Sequence, residues 1–159
     1  MRSFTDNQKR TWQIALNVYE MKRVRSVLGV DLVNVIALGK DGKVQVDLID
    51  RIANDPCLLV DILWVLVEAE AKEQGVSDVD FGSSLAGAAI EEATKAFLDE
   101  LVDFFPGARR LFLKKAVEVS RQFGEEMTAA LERTLADPEF EKRLRESMNS
   151  SASSPGSSV

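Results

Sequence analysis

The sequence predicts a mainly α protein of the α+β class, with a small N-terminal β-hairpin packed on a helical bundle. Three observations predict this fold: alternating apolar residues near the N-terminus, repeated helix-capping residues, and apolar positions spaced three or four residues apart through most of the remainder. The hydrophobic fraction of 45% is enough for a core. The length of 159 residues suits one domain with a short appendage.

The N-terminal segment predicts the hairpin. Trp12, Ile14 and Leu16 alternate with other residues, which places them on one face of a half-buried strand. Phe4 can lie on an earlier short strand, and residues 6–9 between the two have turn chemistry.

A first helix follows the hairpin. Asn17 is a suitable N-cap and Gly29 a suitable stop, and helical spacing relates the apolar residues Val18, Met21, Val24, Val27 and Leu28. Residues 30–46 stay open between strand and helix. Their valines and the run 40–43 favour a hairpin, while Asp31 is also able to start a short helical turn. A short helix is expected from Asp47.

Asp55-Pro56 is a strong helix start, because Asp caps a helix and Pro fits its first turn. This helix should run to about Gln74 and stop at Gly75. Its first half is apolar on nearly all sides, which is typical of the buried centre of a bundle. Cys57 lies in that apolar run, so a buried and inert thiol is expected.

The segment from Ser77 to Pro106 has a division between apolar and acidic residues. Ser77 restarts a helix, and Pro106 ends the next one. On that second helix, the apolar residues predicted to face the core are Ile90, Ala93, Phe97, Leu101 and Phe104. The acidic residues predicted to face the solvent are Glu91, Glu92, Asp99 and Asp103.

The C-terminal third predicts extended helices. Helical spacing continues from about Ala108 to Ala136, and Asp137-Pro138 then starts another helix. We therefore expect a single globular domain at 1–136, an amphipathic helix at 137–148 and a disordered Ser-rich tail at 149–159.

Composition argues against an enzyme. The chain has no His and one Cys, which removes the commonest general base and any thiolate metal cluster. Nucleotide-binding and hydrolase motifs are also missing, so we predict no catalytic, cofactor-binding or metal-binding residues. No signal-peptide core or membrane-length apolar run occurs, which predicts a cytoplasmic protein that is not secreted.

Charge is distributed unevenly along the chain. Residues 1–29 carry six Lys and Arg against two Asp and Glu, whereas residues 30–106 carry five against sixteen. The acidic middle disfavours nucleic acid as a partner. A nucleic-acid-binding regulator that uses Lys22, Arg23 and Arg25 is nevertheless kept as a minor alternative.

Amphipathic surface at the C-terminal end favours a binding protein. We predict partner-binding residues on the last two helices, namely Phe112, Ala116, Phe123, Phe140, Leu144 and Met148. The helix after Pro138 either folds back on the domain or docks on a partner, and both readings stay open. A homo-oligomer also stays open.

Several segments together resemble a known family. They include Phe4-Thr5-Asp6, Asp55-Pro56 and Phe104-Phe105-Pro106, and the remainder comprises residues 10–12, 22–25, 28–32, 59–66, 77–89, 100–103 and 109–110. In this order they resemble the tail assembly chaperones of long-tailed bacteriophages, the lambda G-like group encoded before the tape measure protein. The resemblance covers about residues 2–125.

This resemblance implies a non-enzymatic role in phage or prophage tail assembly. Such chaperones bind the tape measure protein, keep it soluble in the host cytoplasm and help to recruit tail tube protein. They use no cofactor, and the resemblance supplies no catalytic residue. The main alternative is a structural or tail-completion protein that is retained in the virion.

Overall fold

The computed structural model describes residues 1–38 and 40–152 of the chain. Within this part the fold is mainly α, as predicted, with seven α-helices and an N-terminal antiparallel hairpin. The elements are β1 (Arg2–Thr5), β2 (Thr11–Ile14), α1 (Val18–Leu28), a 3₁₀ turn (Leu32–Asn34), β3 (Ala37–Leu38), β4 (Val44–Gln45), α2 (Asp47–Asn54), α3 (Pro56–Glu73), α4 (Asp78–Ser83), α5 (Ala88–Phe104), α6 (Gly107–Leu135) and α7 (Pro138–Ala152).

Three predicted caps start their helices through the expected side-chain bonds. The side chain of Asn17 accepts from the N–H of Glu20 at 3.0 Å at the start of α1. At the start of α3, the side chain of Asp55 accepts from the N–H of Leu58 at 3.1 Å. At the start of α4, the side chain of Ser77 accepts from the N–H of Asp80 at 3.2 Å. These bonds satisfy backbone donors that the helix itself leaves without acceptors. The predicted helix starts are thus confirmed.

The N-terminal hairpin packs on two helices. Its strands pair antiparallel with Phe4 opposite Trp12, and both side chains are buried. β1 lies against α5, and β2 lies against α3. The hairpin therefore contributes one apolar face to the core, as the alternating sequence predicted.

Aromatic rings from separate segments meet in the core. The ring of Phe81 on α4 stands edge-on to Trp12, with centroids 5.2 Å apart, and also contacts the rings of Phe4 and Trp64. Apolar residues of α3 fill the space beneath them, and Leu59 and Ile62 are fully buried. The predicted central position of α3 is confirmed.

Residues 30–46 contain both of the predicted alternatives. Asp31 caps a 3₁₀ turn by accepting from the N–H of Val33 at 3.1 Å. A two-stranded hairpin follows, in which Ala37 lies opposite Gln45. Gly42 has a φ of 74°, a conformation that favours glycine, and it lies in the predicted turn.

One prediction about burial is wrong. Cys57 is exposed rather than buried, because it lies two residues before Leu59, on the side of α3 that faces away from the core. On α1, Val18 and Val27 are exposed, while Met21 and Val24 carry the core contact. In both helices the apolar residues outnumber the positions that the neighbouring elements cover.

The chain forms two compact units. The first comprises Met1–Ser120, and the second begins at Arg121. The sequence predicted a globular domain that ends at 136, but the first unit ends at Ser120, within α6. Helix α7 runs to Ala152, four residues into the predicted tail, and residues 153–159 of that tail lie outside the described residues.

Candidate functional site

The first turns of α6 are anchored in the first unit by two arginines. Arg109 donates to the carbonyl oxygen of Val33 at 2.7 Å and lies 4.7 Å above the ring of Phe105. Arg110 bonds Asp103, which also bonds Arg2. Hydrogen bonding from Arg2, with further help from Arg110, holds the pKa of Asp103 below its usual value.

The core-facing side of α6 differs from the predicted stripe. Leu113 and Val117 are buried, and they lie four residues apart on one side of the helix. Their burial could not be predicted from the sequence, because Phe112 and Ala116, one position earlier, show the same spacing. Which pair faces the core depends on the packing of the neighbouring elements, and not on the spacing along α6.

A second apolar side of α6 is open to solvent along most of its length. We define the α6 stripe as the residues that follow one another there at intervals of three or four, namely Phe112, Ala116, Val119, Phe123, Met127 and Ala130. In the first unit, Val119 is 52% exposed and Ala116 is half-buried. In the second unit, Phe123 is 63% exposed and Met127 48%. Three predicted partner-binding residues belong to this stripe.

Helix α7 has a narrower apolar side. We define the α7 stripe as Phe140, Leu144 and Met148, the other three predicted partner-binding residues. Phe140 is half-buried, whereas Leu144 and Met148 are exposed. Leu131 and Leu135, near the end of α6, are exposed as well. Large apolar side chains are thus exposed to solvent on both helices of the second unit. Exposed apolar patches of this kind are typical of interaction surfaces.

Charged residues change sign along α6. Its first half contains Lys114 and Lys115, and its second half contains Glu125 and Glu126. Lys115 lies 3.6 Å from Glu118, and their side chains are 70% and 45% exposed. Such a surface pair is weak, so Lys115 is able to exchange it for another carboxylate.

The basic residues of α1 are mostly neutralised by neighbouring acids. Arg23 bonds Glu20 at 2.8 Å and approaches Glu68 at 3.5 Å, and Arg25 bonds Asp31. Lys22 is exposed beside them. The positive charge that a nucleic-acid backbone would require on this helix is therefore reduced.

Two buried carboxylates hold the hairpin in place, and no sequence motif marks either of them. Asp6 accepts from the indole of Trp12 at 2.9 Å, from Nε of Arg10 at 2.7 Å and from the hydroxyl of Ser84 at 3.1 Å. Glu100 of α5 accepts from the N–H of Leu16 at 3.1 Å, and its second oxygen lies 2.9 Å from the amino nitrogen of Met1. Because protein groups surround both carboxylates, their role is structural.

A surface cavity of about 400 Å³ lies between α1, β3, β4 and α2 in the first unit. Its lining is mixed, with apolar Leu28, Val35 and Leu48 beside polar Asn34 and Arg51. The cavity thus offers both apolar contact area and hydrogen-bonding groups.

No protein-family model, no curated protein and no solved structure matches this chain. Across residues 1–38 and 40–152, no cluster of His, Cys, Asp and Glu has the arrangement of a metal site. In the same part of the chain, none of the helices has the length and apolar character that a membrane span requires. The exposed apolar stripes of α6 and α7 remain the main candidate for a functional surface.

Proposed function

We propose that this protein is a non-enzymatic tail assembly chaperone of a long-tailed phage or prophage, which acts in the host cytoplasm. It binds the tape measure protein and assists assembly of tail tube protein around it. The observation that carries the proposal is the exposure of large apolar side chains along α6 and α7. A protein that must cover a long apolar helical partner needs such a surface.

The proposed contact lies on the second unit. Leu144 and Met148 of α7, together with Phe123 and Met127 of α6, are able to bury apolar area against the side chains of a partner helix. Their neighbours on the helices are charged, which keeps the free protein in solution.

The resembling segments are compatible with a scaffold role for the first unit. Phe4, Asp6 and Trp12 join the hairpin to the core, and Asp55 caps the central helix. These residues maintain the fold and leave recognition to the C-terminal helices. Such a division suits a chaperone, whose partner is released after assembly.

Co-expression with the tape measure protein encoded beside this chain tests the proposal. We expect the tape measure protein to move from the insoluble to the soluble fraction and to co-purify with a tagged chaperone. An unchanged soluble fraction without co-purification would contradict the proposal. Mass spectrometry of mature particles tests the role further, because a chaperone is absent from them and a tail-completion protein is present.

A further inference from the structure

The surface cavity of the first unit has an apolar side that belongs to the core. Leu28 ends α1, Val30 follows it, and Leu48 lies on α2. All three are half-buried and pack on the core, and Val35 beside them is buried. The volume of about 400 Å³ lies near the lower end of the range for small-molecule pockets, which is about 300–1,000 Å³. This side of the cavity therefore suits the apolar group of a small ligand.

Hydrogen bonds within the first unit hold the cavity wall in place. Asp31, which caps the 3₁₀ turn, bonds Arg25 and accepts from the side chain of Asn34 at 2.7 Å. Arg109 donates to the carbonyl oxygen of Val33 in the same turn. A wall that is fixed before binding lowers the entropic cost of forming a complex.

Two opposite charges at the edge of the cavity are not used by the fold. Asp47 and Arg51 both line the cavity, are exposed, and lie four residues apart on α2. Across residues 1–38 and 40–152, neither side chain has a hydrogen bond or an ion pair with another protein group. Asp31, the third charged residue of the lining, is instead neutralised by Arg25. The cavity thus presents one carboxylate and one guanidinium that are available to a ligand.

A ligand that complements this pair carries an ammonium group and a carboxylate close together. Residues four apart on a helix are separated by about 6 Å along its axis. An α-amino acid carries both charged groups on one carbon, so its ammonium can pair with Asp47 while its carboxylate pairs with Arg51. The guanidinium is well suited to this contact, because it donates two parallel hydrogen bonds to a carboxylate. The side chain of the amino acid then lies against Leu28 and Leu48.

Ligands with a single charge complement the cavity less well. A simple carboxylate would lie near the like charge of Asp47, and a simple amine would lie near the like charge of Arg51. A neutral apolar ligand would use neither charge. The pair therefore favours a zwitterion that has an apolar side chain.

We propose that this cavity binds a free α-amino acid with an apolar side chain, such as leucine or phenylalanine. Both charge contacts are exposed and the ligand is small, so a dissociation constant of about 0.1–1 mM is expected. The site lies wholly within the first unit, and the inference does not depend on the tape measure protein.

Two-dimensional ¹H–¹⁵N NMR of the full chain, titrated with L-leucine and with L-phenylalanine to about 20 mM, tests the proposal. At least one of them should shift the amide signals of Val30 and Leu48 in a saturable way. N-acetyl-L-leucine lacks the ammonium group and L-leucinamide lacks the carboxylate, so each should bind at least about tenfold more weakly than L-leucine. Unchanged signals with both amino acids, or equal binding of N-acetyl-L-leucine, would overturn the proposal.

Substitutions on α2 test the charge pair itself. Asp47→Asn and Arg51→Gln each remove one charge and should raise the dissociation constant for the amino acid about tenfold. Asp50→Asn is the matched control, because Asp50 is exposed on the same helix but does not line the cavity. It should leave the constant within about twofold of the original.

Unchanged affinity in the Arg51→Gln protein, or an equal loss in the Asp50→Asn protein, would refute the assigned contacts. Circular dichroism should show unchanged helix content in all three variants, since the three side chains are exposed. None of these results would bear on binding of the tape measure protein through α7.

Discussion

The indole N–H of Trp12 donates to Oδ2 of Asp6 across 2.9 Å inside the first unit, where both side chains are buried. The same carboxylate accepts from Arg10 and from Ser84, so one residue joins the hairpin turn, the second strand and the segment after α4. Asn7 strengthens this junction by donating its backbone N–H to the carbonyl of Ser84 at 3.0 Å. The hairpin is thus held by a buried polar centre as well as by apolar packing.

Replacing Asp6 should destabilise the protein strongly. Asp6→Asn keeps the size of the side chain but removes the charge that Arg10 and Trp12 bond, at a cost of about 3 kcal/mol in the free energy of unfolding. Urea denaturation monitored by circular dichroism measures this change.

Asp41→Asn is the matched control for Asp6→Asn. Asp41 is exposed in the β3–β4 turn, and its loss of charge should alter the free energy of unfolding by less than about 0.5 kcal/mol. Equal effects of the two substitutions would refute the structural role of the buried carboxylate.

Stability should fall in acid because of Asp6. Burial by itself raises the pKa of this carboxyl, but hydrogen bonds from Trp12, Arg10 and Ser84 outweigh burial and place the pKa below its usual value of 3.8. A carboxyl whose pKa is lowered by folding stabilises the protein above its usual pKa, and this contribution is lost as the pH falls through the lowered value. The free energy of unfolding should therefore be steady near neutral pH and decline below pH of about 4.

Urea titrations at a series of pH values measure this decline. Asp6→Asn should have a shallower acid decline than the original protein, because the substituted side chain does not bind a proton in this range. Identical slopes for the two proteins would show that other carboxyls, such as Asp103, dominate the acid response.

The two sides of α6 should respond differently to truncation. Leu113→Ala opens a cavity in the core and should lower the free energy of unfolding by about 2–4 kcal/mol. Leu111→Ala removes the same atoms from an exposed position and should change it by less than about 0.5 kcal/mol. Thermal and urea unfolding compare the pair, and a larger effect at Leu111 would reverse the assigned sides of the helix.

Cys57 should react readily in the folded protein. Its side chain is exposed at the start of α3, so a thiol reagent such as dithionitrobenzoate should label one thiol per chain without denaturant. The absorbance change gives both rate and stoichiometry. Labelling only in the presence of urea would show that Cys57 is buried in the folded protein, as the sequence predicted.

The α7 stripe should bind the tape measure protein without supporting the core. Leu144→Asp places a charge on the apolar side and should weaken co-purification of the partner at least tenfold, while the unfolding of the first unit stays unchanged. Asn149→Asp adds the same charge away from the stripe and should have no effect on binding. Equal recovery of the partner with both variants would exclude α7 as the contact.

Local signals predicted most helix boundaries, because a cap acts within three residues of its own position. Asn17, Asp55-Pro56 and Ser77 start their helices as expected, and Gly29 ends α1 with a φ of 69°. The predicted hairpin also depends on a local rule, the alternation of Trp12 with its neighbours. Such features can be read from the chain without knowing what packs against them.

The side of each helix that faces the core could not be read in this way. Phe112 and Leu113 are adjacent, and each is followed by an apolar residue four positions later, yet only Leu113 is fully buried. Cys57 lies in an apolar run and is exposed, while Asp6 and Glu100 are charged and buried. Each outcome depends on residues that are distant in sequence.

The sequence by itself therefore determined the order of elements, their capped ends, the mainly α class and the apolar stripes of the C-terminal helices. Only the tertiary structure decided which apolar sides are covered and which acids are buried, because burial is set by neighbours from other segments. The sites of Trp12, Arg10 and Ser84 around Asp6 illustrate the reason, since a buried carboxylate is stable only when such donors converge on it.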